Sequence, residues 1–128
     1  MNLKGLTTNL FVTDMDRSLA FYRDLLGLPV VMSMNLGDNV GWSMLSNGSA
    51  TLMLQTVESV KDDMPWEAGK PISGSFTFHC DVENVDDSYG ELAGKAPISF
   101  EMRETSYGAR EFGVHDPDGY SVTLSQMG

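Results

Sequence analysis

An offset of 70 residues carries Val12 onto Val82, Met15 onto Val85, Asp16 onto Asp86, Ser18 onto Ser88, Trp42 onto Phe112, Leu52 onto Val122 and Leu54 onto Leu124. A chain of 128 residues holds about one domain, so a repeat of this period divides it into two small, similar units related by a pseudo-twofold axis. Each unit is spelled in the same order. TNLFVTD alternates as a strand and is followed by DRSLAFYRDLLG, where Leu19, Tyr22, Leu25 and Leu26 recur at helical spacing. Asp14 or Asp16 can cap that helix, Gly27 closes it and Pro29 stands beyond it. VGWSMLS and ATLMLQT then read as strands joined through Asn47-Gly48, a strong hairpin signal.

The second unit repeats the order. SFTFHCDV is a strand, and Asn84 can cap a helix that places Val85, Tyr89 and Leu92 on one face before Gly94 ends it. REFGVH and YSVTLSQ form a hairpin around Asp116-Pro117-Asp118-Gly119, with proline and glycine where a type I turn favours them. The resulting division is a first module over 1–56, a linker over 57–70 and a second module over 71–128. Periodicity does not decide between short helices and loops in the linker.

Successive strand residues face opposite sides of a sheet, so each strand sorts its own side chains. One set, expected on the helices, contains Leu6, Leu10, Val12, Leu52, Leu54, Phe76, Phe78, Cys80, Val122 and Leu124. The opposite set contains Thr7, Asn9, Phe11, Thr51, Met53, Gln55, Ser75, Thr77, His79, Ser121, Thr123 and Ser125. Either this second face is solvated, or the two half-sheets curl so that it lines a cavity, with Trp42, Met44, Phe112 and Val114 as apolar wall. A mostly apolar lining with a few polar groups is the usual make-up of a small-molecule pocket.

Composition narrows the partners. Apolar residues make up 41% of the chain and charged ones 20%, as in a soluble globular protein. A formal net charge of −10 disfavours nucleic acid and anionic membrane surfaces. No apolar run approaches the ~20 residues that span a bilayer, and the first residues lack a secretory signal, so a cytoplasmic protein is expected. A single cysteine, Cys80, leaves no disulfide within the chain and no thiolate metal cluster.

LFVTDMDRSLAFYRDLLGL, VGWSMLSNGSATLMLQ and GVHDPDGYSVTLSQ, in this order and with the 70-residue repeat, resemble the glyoxalase, bleomycin resistance protein and dioxygenase group, the vicinal oxygen chelate superfamily. The resemblance implies an α+β fold of tandem βαβββ modules with a pseudo-twofold repeat, forming a curved mixed sheet around a concave cavity. It also implies a homodimer. In the metal enzymes of this group four strand positions carry histidine, glutamate or glutamine ligands; here those positions fall on Thr7, Met53, Thr77 and Thr123. Three hydroxyls and a thioether make no competent site for Zn²⁺ or for a harder divalent ion, so neither a metal nor any other cofactor is expected.

What the resemblance leaves is the binding branch, whose members hold antibiotics by stacking aromatic side chains in acidic clefts. The expected lining is Thr7, Asn9, Phe11, Trp42, Met44, Met53, Gln55, Trp66, Thr77, His79, Tyr107, Phe112 and Thr123, with Trp42, Trp66, Tyr107 and Phe112 as stackers. No catalytic residue is assigned. The expectation is a metal-free protein that binds a planar aromatic, neutral or cationic small molecule, such as a bleomycin- or mitomycin-like antibiotic or another natural product. The alternative is a lyase or dioxygenase of glyoxalase type that uses a noncanonical metal site or His79 as a base; a third reading is an interaction module with a vestigial cavity.

Overall fold

The computed structural model describes residues 1–128 and divides them into two units, 1–72 and 73–128. In the first, β1 (Thr8–Val12) leads into α1 (Met15–Leu19), which continues as a wider π-helical stretch over Ala20–Leu25. The strands β2 (Val30–Leu36), β3 (Asn39–Ser46) and β4 (Thr51–Thr56) follow, and the sheet order is β1-β4-β3-β2. Only the β1–β4 pair is parallel. In the second unit β5 (Thr77–Asp81), α3 (Val85–Leu92), β6 (Ile98–Glu104), β7 (Ala109–His115) and β8 (Ser121–Met127) build a sheet of order β5-β8-β7-β6, again with one parallel pair. This is an α+β fold of two repeated βαβββ modules.

The helix starts lie where the sequence places them. Asp14 Oδ1 accepts from the Arg17 N–H at 3.1 Å, and Asn84 Oδ1 accepts from the Asp87 N–H at 3.1 Å, each satisfying a donor that the first helical turn leaves unpaired. Gly27 turns the chain out of the first helix at φ 78°. The π-helical stretch is a difference from the regular helix that the spacing predicts. It brings the consecutive rings of Phe21 and Tyr22 both into the core, edge to face with centroids 4.8 Å apart, while Leu25 and Leu26 are only half-buried.

The linker is ordered and mostly helical. Thr56 caps α2 (Val57–Asp63) by accepting from the Ser59 N–H, and a single 3₁₀ turn follows over Pro65–Glu67. Two strands, β2 and β6, were not singled out in the sequence. ISFEMRE alternates legibly, whereas VVMSMNL is apolar without a clean period and sits on a sheet edge. No helix is long and apolar enough to cross a membrane.

Each sheet packs one face against its helix. Leu10, Val12, Leu45, Leu52 and Leu54 are buried in the first unit, and Phe112, Val114, Val122 and Leu124 in the second. Leu6, expected on this face, precedes β1 and is 93% exposed; Phe76 precedes β5 and is also exposed, its ring meeting Phe78 and Tyr120. Phe78 and Cys80 are half-buried.

The equivalence of Trp42 with Phe112 is corrected by the register. Residues 47–50 join β3 to β4, whereas residues 116–120 join β7 to β8, so the second hairpin is one residue longer. Trp42 therefore stands opposite Gln55, but it is Glu111, not Phe112, that stands opposite Ser125. Because the side-chain period is two, that one residue sends Phe112 and Val114 to the helix face, where the Phe112 ring meets Tyr89 at 5.1 Å. Neither can wall a cavity on the other face.

Candidate functional site

The face of the first sheet turned away from α1 carries two rows of cross-strand neighbours. Met34, Trp42, Gln55 and Phe11 form one; Met32, Met44, Met53 and Asn9 form the other. α2 leans over one end of this face. Its Ser59 hydroxyl accepts from Gln55 Nε2 at 3.1 Å, and Gln55 Oε1 accepts from Asn9 Nδ2 at 2.8 Å. Gln55 is left only 3% exposed, as a buried amide satisfied on both sides.

Between α2 and the edge strand β2 lies an open cavity of about 350 Å³. Asn9, Asn35, Gln55 and Ser59 supply its polar groups, Trp42, Met34, Leu36 and Met64 its apolar walls, and Asp62 and Asp63 its charge; no basic side chain lines it. Of the expected site residues, the structure brings Asn9, Trp42 and Gln55 together here. Phe11 instead borders a small recess with Val57, Val60 and Ile72. Met44 and Met53 lie on the same sheet face, outside the lining. Trp66 sits on the 3₁₀ turn, 73% exposed, and borders none of these hollows. Met34, Asn35, Leu36, Ser59, Asp62, Asp63 and Met64 were missed, because they come from the edge strand and from the linker, where periodicity is silent.

In the second unit the face turned away from α3 carries Thr77, His79, Ser121, Thr123 and Ser125. His79 is half-exposed, and its Nε2 stands 3.9 Å from the Asp81 carboxylate. Across the same face, Glu111 is buried at 2% exposure, and its carboxylate accepts from Arg103 Nη2 and from the Tyr107 hydroxyl, each at 2.7 Å. Burial pushes the Glu111 carboxyl up, but the hydrogen bonds from Tyr107 and Arg103 outweigh it and hold the group below its ordinary value. The same bond to Glu111, first, and burial, second, raise the Tyr107 hydroxyl. Tyr107, expected as a free stacker, is thus tied by its hydroxyl to the sheet. Arg103 lies 5.3 Å from the Phe100 ring centroid. Neither Arg103 nor Glu111 was expected at a site; REFGVH shows Glu111 as one more charged strand residue until its neighbours are placed.

The four positions onto which the resemblance carries the metal ligands, Thr7, Met53, Thr77 and Thr123, hold no suitable donors. Thr7 lies outside β1 and is exposed; Thr77 is exposed at the start of β5; Met53 and Thr123 are half-buried. No three His, Cys, Asp or Glu side chains gather closely enough to hold a metal ion. The residues present do not fit a divalent metal centre at these positions.

Comparison with known proteins agrees with this architecture. The sequence profile of the Glyoxalase/Bleomycin resistance protein/Dioxygenase superfamily matches residues 6–124. An uncharacterised Bacillus subtilis (strain 168) protein, YraH, is 27% identical over 132 residues, spanning 98% of this chain and 99% of its own length. Among solved structures, a glyoxalase/bleomycin resistance protein/dioxygenase from Nocardioides superposes with a TM-score of 0.77 at 17% identity, covering 99% of this chain and 85% of its own. A lactoylglutathione lyase from Agrobacterium tumefaciens superposes at 0.71 with 21% identity, covering 98% and 95%. At these identities the superpositions speak for the fold alone. The matched profile, the repeated βαβββ modules and the two parallel strand pairs together make this chain a member of the glyoxalase/bleomycin resistance protein/dioxygenase superfamily.

Proposed function

We propose that this chain is a metal-free binding protein that sequesters a planar aromatic, neutral or cationic small molecule, of the kind of a bleomycin- or mitomycin-like antibiotic or another natural product. The observation that carries the reading is the lining of the cavity in the first unit. One indole, two methionines and a leucine surround a short chain of amides, which is the mixture of apolar wall and few oriented polar groups that recognises a flat, partly polar guest. Thr7, Met53, Thr77 and Thr123 support the metal-free part, because hydroxyls and a thioether supply neither the charge nor the donor strength a divalent ion needs. The reading places the protein in the cytoplasm as a homodimer.

The test is a fluorescence titration with planar aromatic compounds, run beside elemental analysis of the purified protein. Quenching that survives Trp66→Ala and disappears with Trp42→Ala is expected, with no stoichiometric divalent metal. Tight metal at one per subunit, or turnover that is lost in His79→Ala, would favour the lyase or dioxygenase reading instead.

A further inference from the structure

Four of the chain's nine methionines, Met32, Met34, Met44 and Met53, stand on the face of the first sheet turned away from α1. A register shift puts half of them there. Val30 pairs with Leu45 and Met32 with Met44, so Val31 is an extra residue in β2. In an unbroken ladder Val31 would stand opposite Met44, and Met32 and Met34 would turn to the helix side. The bulge instead makes Met32, Met44 and Met53 direct neighbours across three adjacent strands, with Met34 diagonal to Met44. Directly opposed Cβ atoms on such a face lie about 5 Å apart and diagonal positions about 7–8 Å, within reach of long, adaptable thioether side chains. Met32 and Met34 are 55% and 64% exposed and Met44 and Met53 half-buried, so the group is open to a small solute.

We infer that Met32, Met44 and Met53, with Met34 at hand, form a binding site for a soft monovalent metal ion of the Cu⁺ and Ag⁺ class. A single thioether among hydroxyls, as Met53 stands in the divalent positions, attracts no Zn²⁺ or harder ion; several thioethers together are a donor set that Cu⁺ selects. The two rows that hold them carry no carboxylate, imidazole or amine to draw a harder ion instead. The ion is a guest rather than a resident cofactor, and it enters and leaves without change of oxidation state. This site goes beyond the sequestration of a planar molecule and does not rest on it.

The test takes Cys80→Ser as its parent protein, because the lone thiol of the second unit would also bind these ions. Ag⁺ titration followed by native mass spectrometry, and Cu⁺ presented in competition with a chromophoric chelator, should each give one ion per chain, with no uptake of Zn²⁺. Met44→Leu keeps the volume and the apolar surface. It should weaken Ag⁺ binding by at least about tenfold, a loss usual even for a residue that merely supports a metal ligand. Replacing Met32, Met44 and Met53 together by leucine should abolish binding, while Met127→Leu in the second unit should leave it unchanged. A thioether has no proton to lose, so the affinity should stay level between about pH 5 and about pH 8, where an imidazole site such as His79 would weaken on acidification. Trp42→Ala, which removes the wall proposed for a planar guest, should still take up Ag⁺, so the two readings fail separately. Circular dichroism checks the fold of the triple variant, and Met44→Leu alone carries the test if that variant does not fold. Met44→Leu that binds Ag⁺ like the parent, an affinity that falls steeply toward about pH 5, or no Ag⁺ bound by Cys80→Ser would each overturn the inference.

Discussion

Trp42 and Phe112 stand 70 residues apart in a repeated sequence and face opposite sides of their sheets: Trp42 pairs with Gln55 on the face turned away from α1, Phe112 with Leu124 on the face that carries Tyr89 of α3. The two aromatic rings therefore have separable roles. Trp42→Ala should weaken binding of a planar ligand by about 1–3 kcal/mol and cost less folding stability than loss of Phe112, since the indole is only partly buried. Phe112→Ala removes a fully buried ring and should cost about 3–5 kcal/mol of folding stability. Urea denaturation and ligand titration on both variants check this; a Phe112→Ala protein as stable as the parent would show that the β7 register is not the one described.

Gly113 tests the same register from the other side. It pairs with Thr123, and a methyl group placed on it would run into the Phe100 ring and the Ser99 hydroxyl of β6. Gly113→Ala should therefore destabilise the protein by about 1–3 kcal/mol through forced displacement of β6. By contrast Gly48, in the turn between β3 and β4, sits at φ 91° with open space around it and should resist substitution through backbone strain alone. Combining Gly113→Ala with Phe100→Ala should recover part of the loss if steric conflict is the cause; an additive double variant would argue against it.

Glu111 makes the acid limb of stability predictable in sign. Its folded-state pKa is depressed despite burial, so between the folded and unfolded values the unfolded chain binds more protons. The contribution is complete above the ordinary glutamate value of 4.5 and is lost as pH falls through the depressed one. Glu111→Gln should flatten the fall in melting temperature over that window. Arg103→Met leaves the buried carboxylate one donor short, which should raise the Glu111 pKa and cost about 1–3 kcal/mol near neutral pH. An identical acid limb in parent and Glu111→Gln would show that the carboxylate is solvated.

The proposed homodimer can be tested at the exposed apolar residues of the edge strand. Val31, Met32 and Met34 of β2 are all exposed, and β2 presents an unpaired ladder edge. Sedimentation at micromolar concentration should give a dimer, and replacing Met32 and Met34 by lysine should shift it toward monomer. A monomeric parent would overturn the expectation.

Much of the fold was legible because its signals are local. Asp14 and Asn84 can cap helices only by accepting from backbone donors close by, and Asn47-Gly48 and Asp116-Pro117-Asp118-Gly119 favour tight turns whatever surrounds them. Alternation in TLMLQT and SVTLSQM sorted Leu52, Leu54, Val122 and Leu124 onto the buried side because strand geometry alone does the sorting. The site was less legible, because it is made by contacts between elements distant in the sequence. Asn9 and Gln55 become a directed pair only when the parallel β1–β4 ladder aligns them, and α2 becomes a cavity wall only when Ser59 reaches Gln55.

Repeat, capping and strand alternation were thus determined by the sequence itself, since each depends on residues a few positions apart or on a periodicity the chain carries everywhere. The face occupied by Phe112, the burial of Glu111 beneath Arg103 and Tyr107, and the acidic, amide-floored cavity were decided by tertiary structure. One extra residue in a turn inverts every side chain of the strand before it, and that inversion acquires consequences only when a helix waits on one side and an arginine on the other.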